Sequence, residues 1–201
     1  MNTSTAARVV LAVAVLAAIG RQLALHIGAS YDPVNFFSYF TNLSNLFAAV
    51  VFLVSAFNVA KGYTPVLDVI RFISVVNMTI VGIVFSILLR NEDLGALLPW
   101  VNVTLHYVMP VAVVLDWLLL PPSAKLNSRH LLLSLTFPAI YLTYVVIRGA
   151  GNGWYPYPFL NPVNVGGYTG VAAYSVGIAL LFFLAGWLLL WIGNRRASAR
   201  S

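Results

Sequence analysis

The sequence lacks cysteine and has few charged residues. Without cysteine the chain can form no disulfide, use no thiolate in catalysis and bind no zinc through sulfur. Asp, Glu, Lys and Arg together make up only 8% of the residues, whereas a soluble domain has about 25%. Hydrophobic residues make up 61% of the chain. Lipid rather than water is therefore the main solvent of this protein.

The hydrophobic residues fall in runs of about 20, the length that crosses about 30 Å of hydrocarbon. These runs predict an all-α fold over residues 1–201, a single domain in the form of a polytopic membrane helix bundle with six transmembrane helices. The predicted spans are 6–27, 36–57, 68–90, 98–120, 130–148 and 169–193. Pro99 suits the first turn of span four, where its missing N–H costs nothing.

The positive charges predict an orientation. With the N-terminus inside, three of the eleven Lys and Arg lie towards the outside, at Arg21, Arg90 and Arg148. The other eight lie at cytoplasmic ends: Arg8, Lys61, Arg71, Lys125, Arg129, Arg195, Arg196 and Arg200. This excess predicts cytoplasmic N and C termini in a multi-pass protein of the cell membrane. Because the charges form no basic stripe and no known nucleic-acid motif, we expect no nucleic acid as a partner.

Span one and the longest connection between spans each need a separate interpretation. Span one could instead be a signal peptide, since Arg8 precedes an apolar run, but no small-x-small cleavage site with a polar start follows it. The longest connection, 149–168, is rich in glycine, proline and aromatic residues and predicts a packed outer cap. Trp154 and Tyr157 in this cap are candidate substrate-binding residues.

Polar residues inside the spans are the candidates for function, because an unpaired polar group in lipid costs several kcal/mol. Span two opens with FFSYFTNLSN. Helical spacing places Ser38, Thr41 and either Ser44 or Asn45 on one face, with Asn42 about 100° away. This face is the first candidate contribution to a site.

Span four contains the sequence NVTLHYVMP. Asn102 lies four residues before His106, so the two side chains share a face. Pro110 cannot donate to the backbone oxygen of His106, which predicts a bend in the helix at the histidine.

Thr41, His106 and Arg21 are predicted to lie at similar depths in the membrane. At about 1.5 Å per residue, Thr41 lies about 8 Å, Arg21 about 9 Å and His106 about 12 Å below the outer ends of their spans. Three helices thus present polar groups at one level. Taken singly, such residues usually form interhelical hydrogen bonds or, for Arg21, reach the headgroups.

Two further groups are assigned structural roles. Asn77, deeper in span three, is predicted to form an interhelical hydrogen bond. Asp116 and Arg71, both near the cytoplasmic face, are predicted to form a structural ion pair.

The chemistry of the outer set is that of nucleophilic catalysis. A threonine hydroxyl becomes a nucleophile when a neighbouring base takes its proton, and a neutral imidazole is suited to this task. Thr41 and His106 are therefore the candidate catalytic residues, and Asn102 is the candidate that orients the imidazole. Asn42, Asn45 or Arg21 would donate to an oxyanion, and Arg21 would bind a substrate carboxylate.

Three sequence segments carry a family resemblance: YFTNLSN at 39–45, NVTLHYVMP at 102–110 and WYPYPFL at 154–160. In this order over six spans they resemble the androgen-induced, androgen-regulated family of integral membrane proteins and its bacterial members. The resemblance covers nearly the whole chain. Eukaryotic members of that family are threonine hydrolases of fatty-acid esters of hydroxy fatty acids, which implies that Thr41 is the nucleophile, His106 the essential histidine and a bilayer lipid the substrate.

Other functions remain as alternatives. A non-catalytic lipid-binding or transport protein would use the same polar patch to line a cavity. A haem or quinone protein would use His26 and His106 as ligands. Three scattered histidines without a nearby intramembrane carboxylate offer too few ligands for a metal, so we expect neither metal nor cofactor. The sequence leaves the oligomeric state open.

Overall fold

A computed structural model describes residues 3–58, 64–92 and 97–198, and within these ranges the chain is helical with no strand. Six helices are long and apolar enough to cross a membrane, as predicted. These spans, one to six in chain order, are Thr3–Gly28, Phe40–Asn58, Pro65–Leu89, Pro99–Leu119, Ser128–Asn152 and Tyr168–Ser198. Lys61 and Arg200, both used in the prediction of orientation, lie outside the described residues.

Individual helices are labelled in chain order, as α1 (Thr3–Gly28), α2 (Pro33–Phe37), α3 (Phe40–Asn58), α4 (Pro65–Val84), α5 (Pro99–Val103), α6 (Met109–Leu119), α7 (Ser128–Ser134), α8 (Thr136–Asn152) and α9 (Tyr168–Ser198). Arg8 near the start and Arg196 near the end of the described chain contact Asp116 and Leu118, so α1 begins and α9 ends at the same end of the bundle, called here the terminal end. The opposite end, called the loop end, carries the 153–167 connection.

Span two begins later than predicted. Asp32 caps a separate short helix, α2, by accepting a hydrogen bond from the backbone N–H of Val34 at 2.9 Å. After α2 the chain turns at Ser38 and Tyr39, and α3 starts at Phe40. Thr41 thus lies in the first turn of a helix rather than about 8 Å down its length. The sequence FFSYF contains neither proline nor glycine to indicate this break.

Two π-helical turns interrupt the bundle, at Thr104–Val108 in span four and at Phe85–Leu89 in span three. The first turn precedes Pro110, so the irregularity predicted at His106 takes the form of a widened turn. Gly82 allows close packing against this proline, because a Cβ on Gly82 would lie 3.1 Å from the Pro110 Cβ. The π turn in span three was not predicted.

A buried ionic cluster lies towards the terminal end. Asp116 binds Arg8 through contacts of 2.7 and 3.0 Å and Arg71 at 3.1 Å, which confirms the predicted Arg71–Asp116 pair and adds a second arginine. Arg71 also contacts Asp68 at 3.2 Å, and the other Asp68 oxygen accepts a 2.7 Å hydrogen bond from the backbone of Ser123. Among the described residues of this cluster, two positive charges are balanced by two negative charges.

The prediction of an interhelical bond for Asn77 is wrong. Asn77 is 1% exposed, and neither polar atom of its side chain has a hydrogen-bond partner among the described residues. Depth in the sequence predicts that Asn77 is buried, but it does not reveal whether a hydrogen-bond partner faces its side chain.

Asn77→Leu is expected to stabilise the protein. Leucine has a similar size and removes two unpaired polar atoms, which cost about 1–3 kcal/mol each when buried. Thermal unfolding in detergent, followed by tryptophan fluorescence, should show a higher Tm than wild type. Asn45→Leu is the matched control and should lower the Tm, because the Asn45 amide makes two hydrogen bonds. A lower Tm for Asn77→Leu would mean that its amide has a partner after all.

Candidate active site

A cavity of about 390 Å³ at the loop end is bordered by five of the candidate residues, Thr41, Asn42, His106, Trp154 and Tyr157. It is called here the polar chamber and is lined by Gln22, Leu25, His26, Tyr31, Asn35, Phe36, Tyr39, Thr41, Asn42, Phe85, Leu89, Glu92, Leu97, Leu105, His106, Trp154, Pro156, Tyr157 and Pro158. Thr41 from span two and His106 from span four both border it. Spans two and four are adjacent here, since Nδ2 of Asn45 donates to the Leu105 carbonyl at 3.1 Å.

Thr41 is held at the start of α3 by tyrosines from other parts of the chain. Its backbone N–H donates to Oη of Tyr157 at 3.3 Å, and its Oγ1 lies 3.5 Å from the same oxygen. The backbone N–H of Phe40 donates to Oη of Tyr141 at 3.2 Å, and Tyr141 donates to the Ser38 carbonyl at 2.8 Å. These hydroxyls satisfy N–H groups that have no partner within the helix.

Tyr157 is a neutral hydrogen-bond donor beside Thr41. Burial raises the pKa of the Tyr157 phenol above its ordinary value of 10.0, because a phenolate would be poorly solvated there. Tyr157 therefore keeps its proton at neutral pH. Since its oxygen accepts from the Thr41 N–H, its own O–H is available to an acceptor at Thr41.

His106 is oriented by Asn102, as the spacing of four residues predicts. Nδ1 of His106 lies 2.7 Å from Oδ1 of Asn102 and 3.2 Å from the Asn102 backbone oxygen. A backbone carbonyl can only accept, so Nδ1 carries the proton and Nε2 is left with its lone pair. The ring stacks on Phe85 with centroids 3.8 Å apart and planes 17° apart. The hydrogen bonds to Asn102 fix the tautomer of the imidazole, and the stacking on Phe85 fixes the plane of its ring.

The two asparagines of span two have different roles. Asn42 borders the polar chamber, and its Nδ2 donates to the Phe36 carbonyl at 2.8 Å. Asn45 is fully buried, and its Nδ2 donates to the carbonyls of Thr41 at 2.9 Å and Leu105 at 3.1 Å. Both amide hydrogens of Asn45 are therefore used, so Asn45 ties span two to span four and has none to offer an oxyanion.

Arg21 is not brought into the site. Its side chain is exposed, whereas Gln22 and His26 of the same helix line the polar chamber. Depth places Arg21 at the right level, but the rotation of 100° per residue gives the inner face to its neighbour Gln22. No lysine or arginine of the described residues lines the chamber, so a carboxylate contact there by Arg21 is not supported.

The 153–167 connection forms the roof of the polar chamber. Trp154 packs edge-on against Tyr39 with centroids 5.8 Å apart, and Tyr39 packs in the same way against Tyr157 at 5.7 Å. Arg148 holds this roof to the entry of span two: its guanidinium lies 5.1 Å from the Trp154 ring and donates to Asn35 at 2.7 Å. Trp154 and Tyr157 thus both border the chamber, and their role in substrate binding stays a prediction.

Sequence reasoning missed Tyr39, Tyr141 and Phe85. A tyrosine inside a span needs a partner for its hydroxyl, and this signal was available for Tyr141 in span five. Phe85 gives no such signal, because a phenylalanine in a span is equally suited to contact lipid.

A second cavity, of about 260 Å³, also reaches Thr41 and Tyr157. It is called here the apolar chamber and is lined by Phe40, Thr41, Ile80, Val81, Val84, Phe85, Leu89, Leu135, Pro138, Ala139, Tyr141, Leu142, Tyr157, Phe159, Leu160, Ser175, Ile178, Ala179 and Phe182. The candidate nucleophile therefore lies where a polar cavity and a hydrocarbon-lined cavity meet.

The sequence model of the FAR-17a/AIG1-like protein family matches residues 34–190. Thr41, Asn102, His106 and Tyr157 all fall inside the matched region. Searches of curated proteins and of solved structures gave no match.

Proposed function

Because this chain belongs to the FAR-17a/AIG1-like family of membrane proteins, we propose that it is an intramembrane hydrolase of lipid carboxylic esters. The observation that carries the proposal is that Thr41 and His106 border one chamber, with the basic nitrogen of His106 fixed by Asn102. By resemblance to eukaryotic members, fatty-acid esters of hydroxy fatty acids are the first substrates to test.

The proposed reaction has two stages. Oγ1 of Thr41 attacks the ester carbonyl while Nε2 of His106 takes the hydroxyl proton. The tetrahedral intermediate collapses, its alcohol leaves with the proton from His106, and the acyl group stays on Thr41. Water then attacks this acyl-threonine, again losing a proton to His106, and the acid and the free threonine are released. Atoms and protons balance over the two stages.

The oxyanion of each tetrahedral intermediate has three sources of stabilisation. The Tyr157 O–H, kept protonated by burial, donates to it. The intermediate also forms at the first turn of α3, where the helix dipole carries about half a positive charge. The Asn42 amide, which borders the chamber, adds a polar group on the same side.

Substrate binding is proposed to release the Thr41 hydroxyl for attack. Among the described residues Oγ1 of Thr41 has Tyr157, not His106, as its hydrogen-bond partner. A substrate carbonyl that accepts the hydrogen bond of the Tyr157 O–H leaves the threonine hydroxyl free to turn towards Nε2 of His106. Both residues border the polar chamber, so the hydroxyl and the imidazole belong to the same space.

We further propose that the loop end faces the outside of the cell membrane. The excess of Lys and Arg at the terminal end supports this orientation. The polar chamber would then receive water from outside.

The proposal is tested by replacing His106 with glutamine, which can still hydrogen-bond but is not a base. Purified protein in detergent is assayed on a panel of lipid esters that includes fatty-acid esters of hydroxy fatty acids. We expect His106→Gln to lower turnover by about 10²-fold or more.

His130→Gln is the matched control, because His130 lies in α7 and does not border the chamber. It should keep wild-type turnover. A wild-type protein that hydrolyses no ester of the panel, or a His106→Gln variant as active as His130→Gln, would refute the proposed function.

A further inference from the structure

We infer that the apolar chamber binds the acyl chain of the substrate, and that this chain enters sideways from the bilayer between α8 and α9. The inference rests on the ester hydrolase proposed above and assigns the two parts of its substrate to two separate cavities.

The lining of the apolar chamber fits a hydrocarbon chain. Apart from Thr41, Tyr141, Tyr157 and Ser175, every residue that lines it has an apolar side chain. Along span three the lining runs from Ile80 to Leu89, nine residues or about 13 Å. Such a long, narrow, apolar space that ends at a nucleophile suits one alkyl chain rather than a polar group.

The apolar chamber ends, on the side of the terminal end, where α9 packs closely against α7. Gly186 of α9 lets this helix approach α7, since a Cβ on Gly186 would lie 2.7 Å from Cδ1 of Leu131. One turn nearer the loop end, Phe182 packs edge-on against Phe40 with centroids 5.9 Å apart. Beyond Phe182 the helices leave room, and the facing residues include the small side chains of Ala139 and Ala179.

The same two alanines mark an opening to the bilayer. Ala139 of α8 and Ala179 of α9 both line the apolar chamber and both are exposed. Ala139 also borders a groove on the surface of α8 that contains Ile140 and Ile147. These surfaces belong to spans five and six, so the medium outside the gap is lipid. An acyl chain can pass from the bilayer into the chamber without crossing water.

The junction at Thr41 fixes the position of the ester. Thr41 and Tyr157 border both chambers, whereas His106 borders only the polar one. With the acyl chain in the apolar chamber, the carbonyl lies at Thr41 and the alcohol half lies on the side of His106. His106 is then placed to give its proton to the departing alcohol, and the polar chamber is the exit of the alcohol and the entrance of water.

Ala179→Phe tests the chamber by filling it. In proteoliposomes we expect this variant to hydrolyse nitrophenyl hexadecanoate at least about tenfold more slowly than wild type, since a filled pocket excludes the longer chain. Nitrophenyl acetate, which has no chain to place, should be hydrolysed within about twofold of the wild-type rate. Ala172→Phe, on an exposed part of the same helix outside both chambers, should change neither rate. Equal loss on both esters, or none on either, would overturn the inference.

Photolabelling tests the same site without hydrolysis. A fatty acid with a mid-chain diazirine is added to Thr41→Ala protein in liposomes, irradiated, and the labelled residues are mapped by mass spectrometry. We expect labels at 135–142 and 175–182, which decrease in Ala179→Phe and on competition with hexadecanoic acid. Labels there without ester hydrolysis by wild type would support the chamber and refute the proposed function. Ester hydrolysis without labels there would refute the chamber alone.

Discussion

Replacing Thr41 with valine should lower ester turnover by more than about 10³-fold. The substitution removes the nucleophilic hydroxyl and keeps the volume of the side chain. Valine also leaves in place the backbone N–H of residue 41, which donates to Tyr157. The fold and both chambers should therefore survive, and the loss should appear in kcat. The measurement is steady-state turnover of a lipid ester by purified protein of unchanged Tm.

Thr41→Ser is the matched variant, because serine keeps the hydroxyl and loses only a methyl group. It should retain turnover within about tenfold of wild type. Comparable activity of Thr41→Val and wild type would show that the threonine hydroxyl takes no part in the reaction. In that case the chamber would serve lipid binding alone.

Asp116→Asn should destabilise the protein by about 3–5 kcal/mol, the cost of breaking a buried ion pair by removing one partner. The Asp116 carboxylate contacts both Arg8 and Arg71, which are 1% and 3% exposed. A neutral amide removes one of the two described carboxylates that balance the two buried guanidinium groups. We expect a much lower Tm in detergent, with Trp117 fluorescence as the local probe because the Arg71 guanidinium lies 5.6 Å from its ring.

Asp32→Asn provides the control for this prediction. Asp32 pairs with Arg148 at 3.4 Å, but its side chain is 51% exposed, and exposed pairs contribute about 0–1 kcal/mol. Its Tm should stay close to that of wild type. If Asp116→Asn and Asp32→Asn unfold at the same temperature, the buried cluster does not stabilise the bundle.

The membrane spans could be predicted because hydrocarbon thickness fixes their length. Predicted span four, 98–120, corresponds to Pro99–Leu119, and predicted span one, 6–27, to Thr3–Gly28. The pairing of Asn102 with His106 was also predictable, since helical spacing alone places them together. Local rules were sufficient at these positions.

Contacts between different helices were less predictable. Depth gave Arg21 the correct level, but nothing in the sequence showed that Gln22 rather than Arg21 faces the chamber. The turn at Tyr39 lies within an apolar run, and it moves Thr41 to a helix start. The contact between Thr41 and Tyr157 joins residues 116 positions apart. The rotation of a helix about its axis, a break within a span and a contact between distant residues all depend on tertiary packing. The periodicity of the sequence does not reveal this packing.

The most direct test of the central claim is to locate a covalent adduct. Purified protein is treated with a lipid-like fluorophosphonate, digested and mapped by mass spectrometry. The proposed mechanism predicts one adduct on Thr41, absent from Thr41→Val and formed much more slowly in His106→Gln. An adduct on another residue, or labelling of Thr41→Val equal to that of wild type, would contradict a threonine nucleophile at this site.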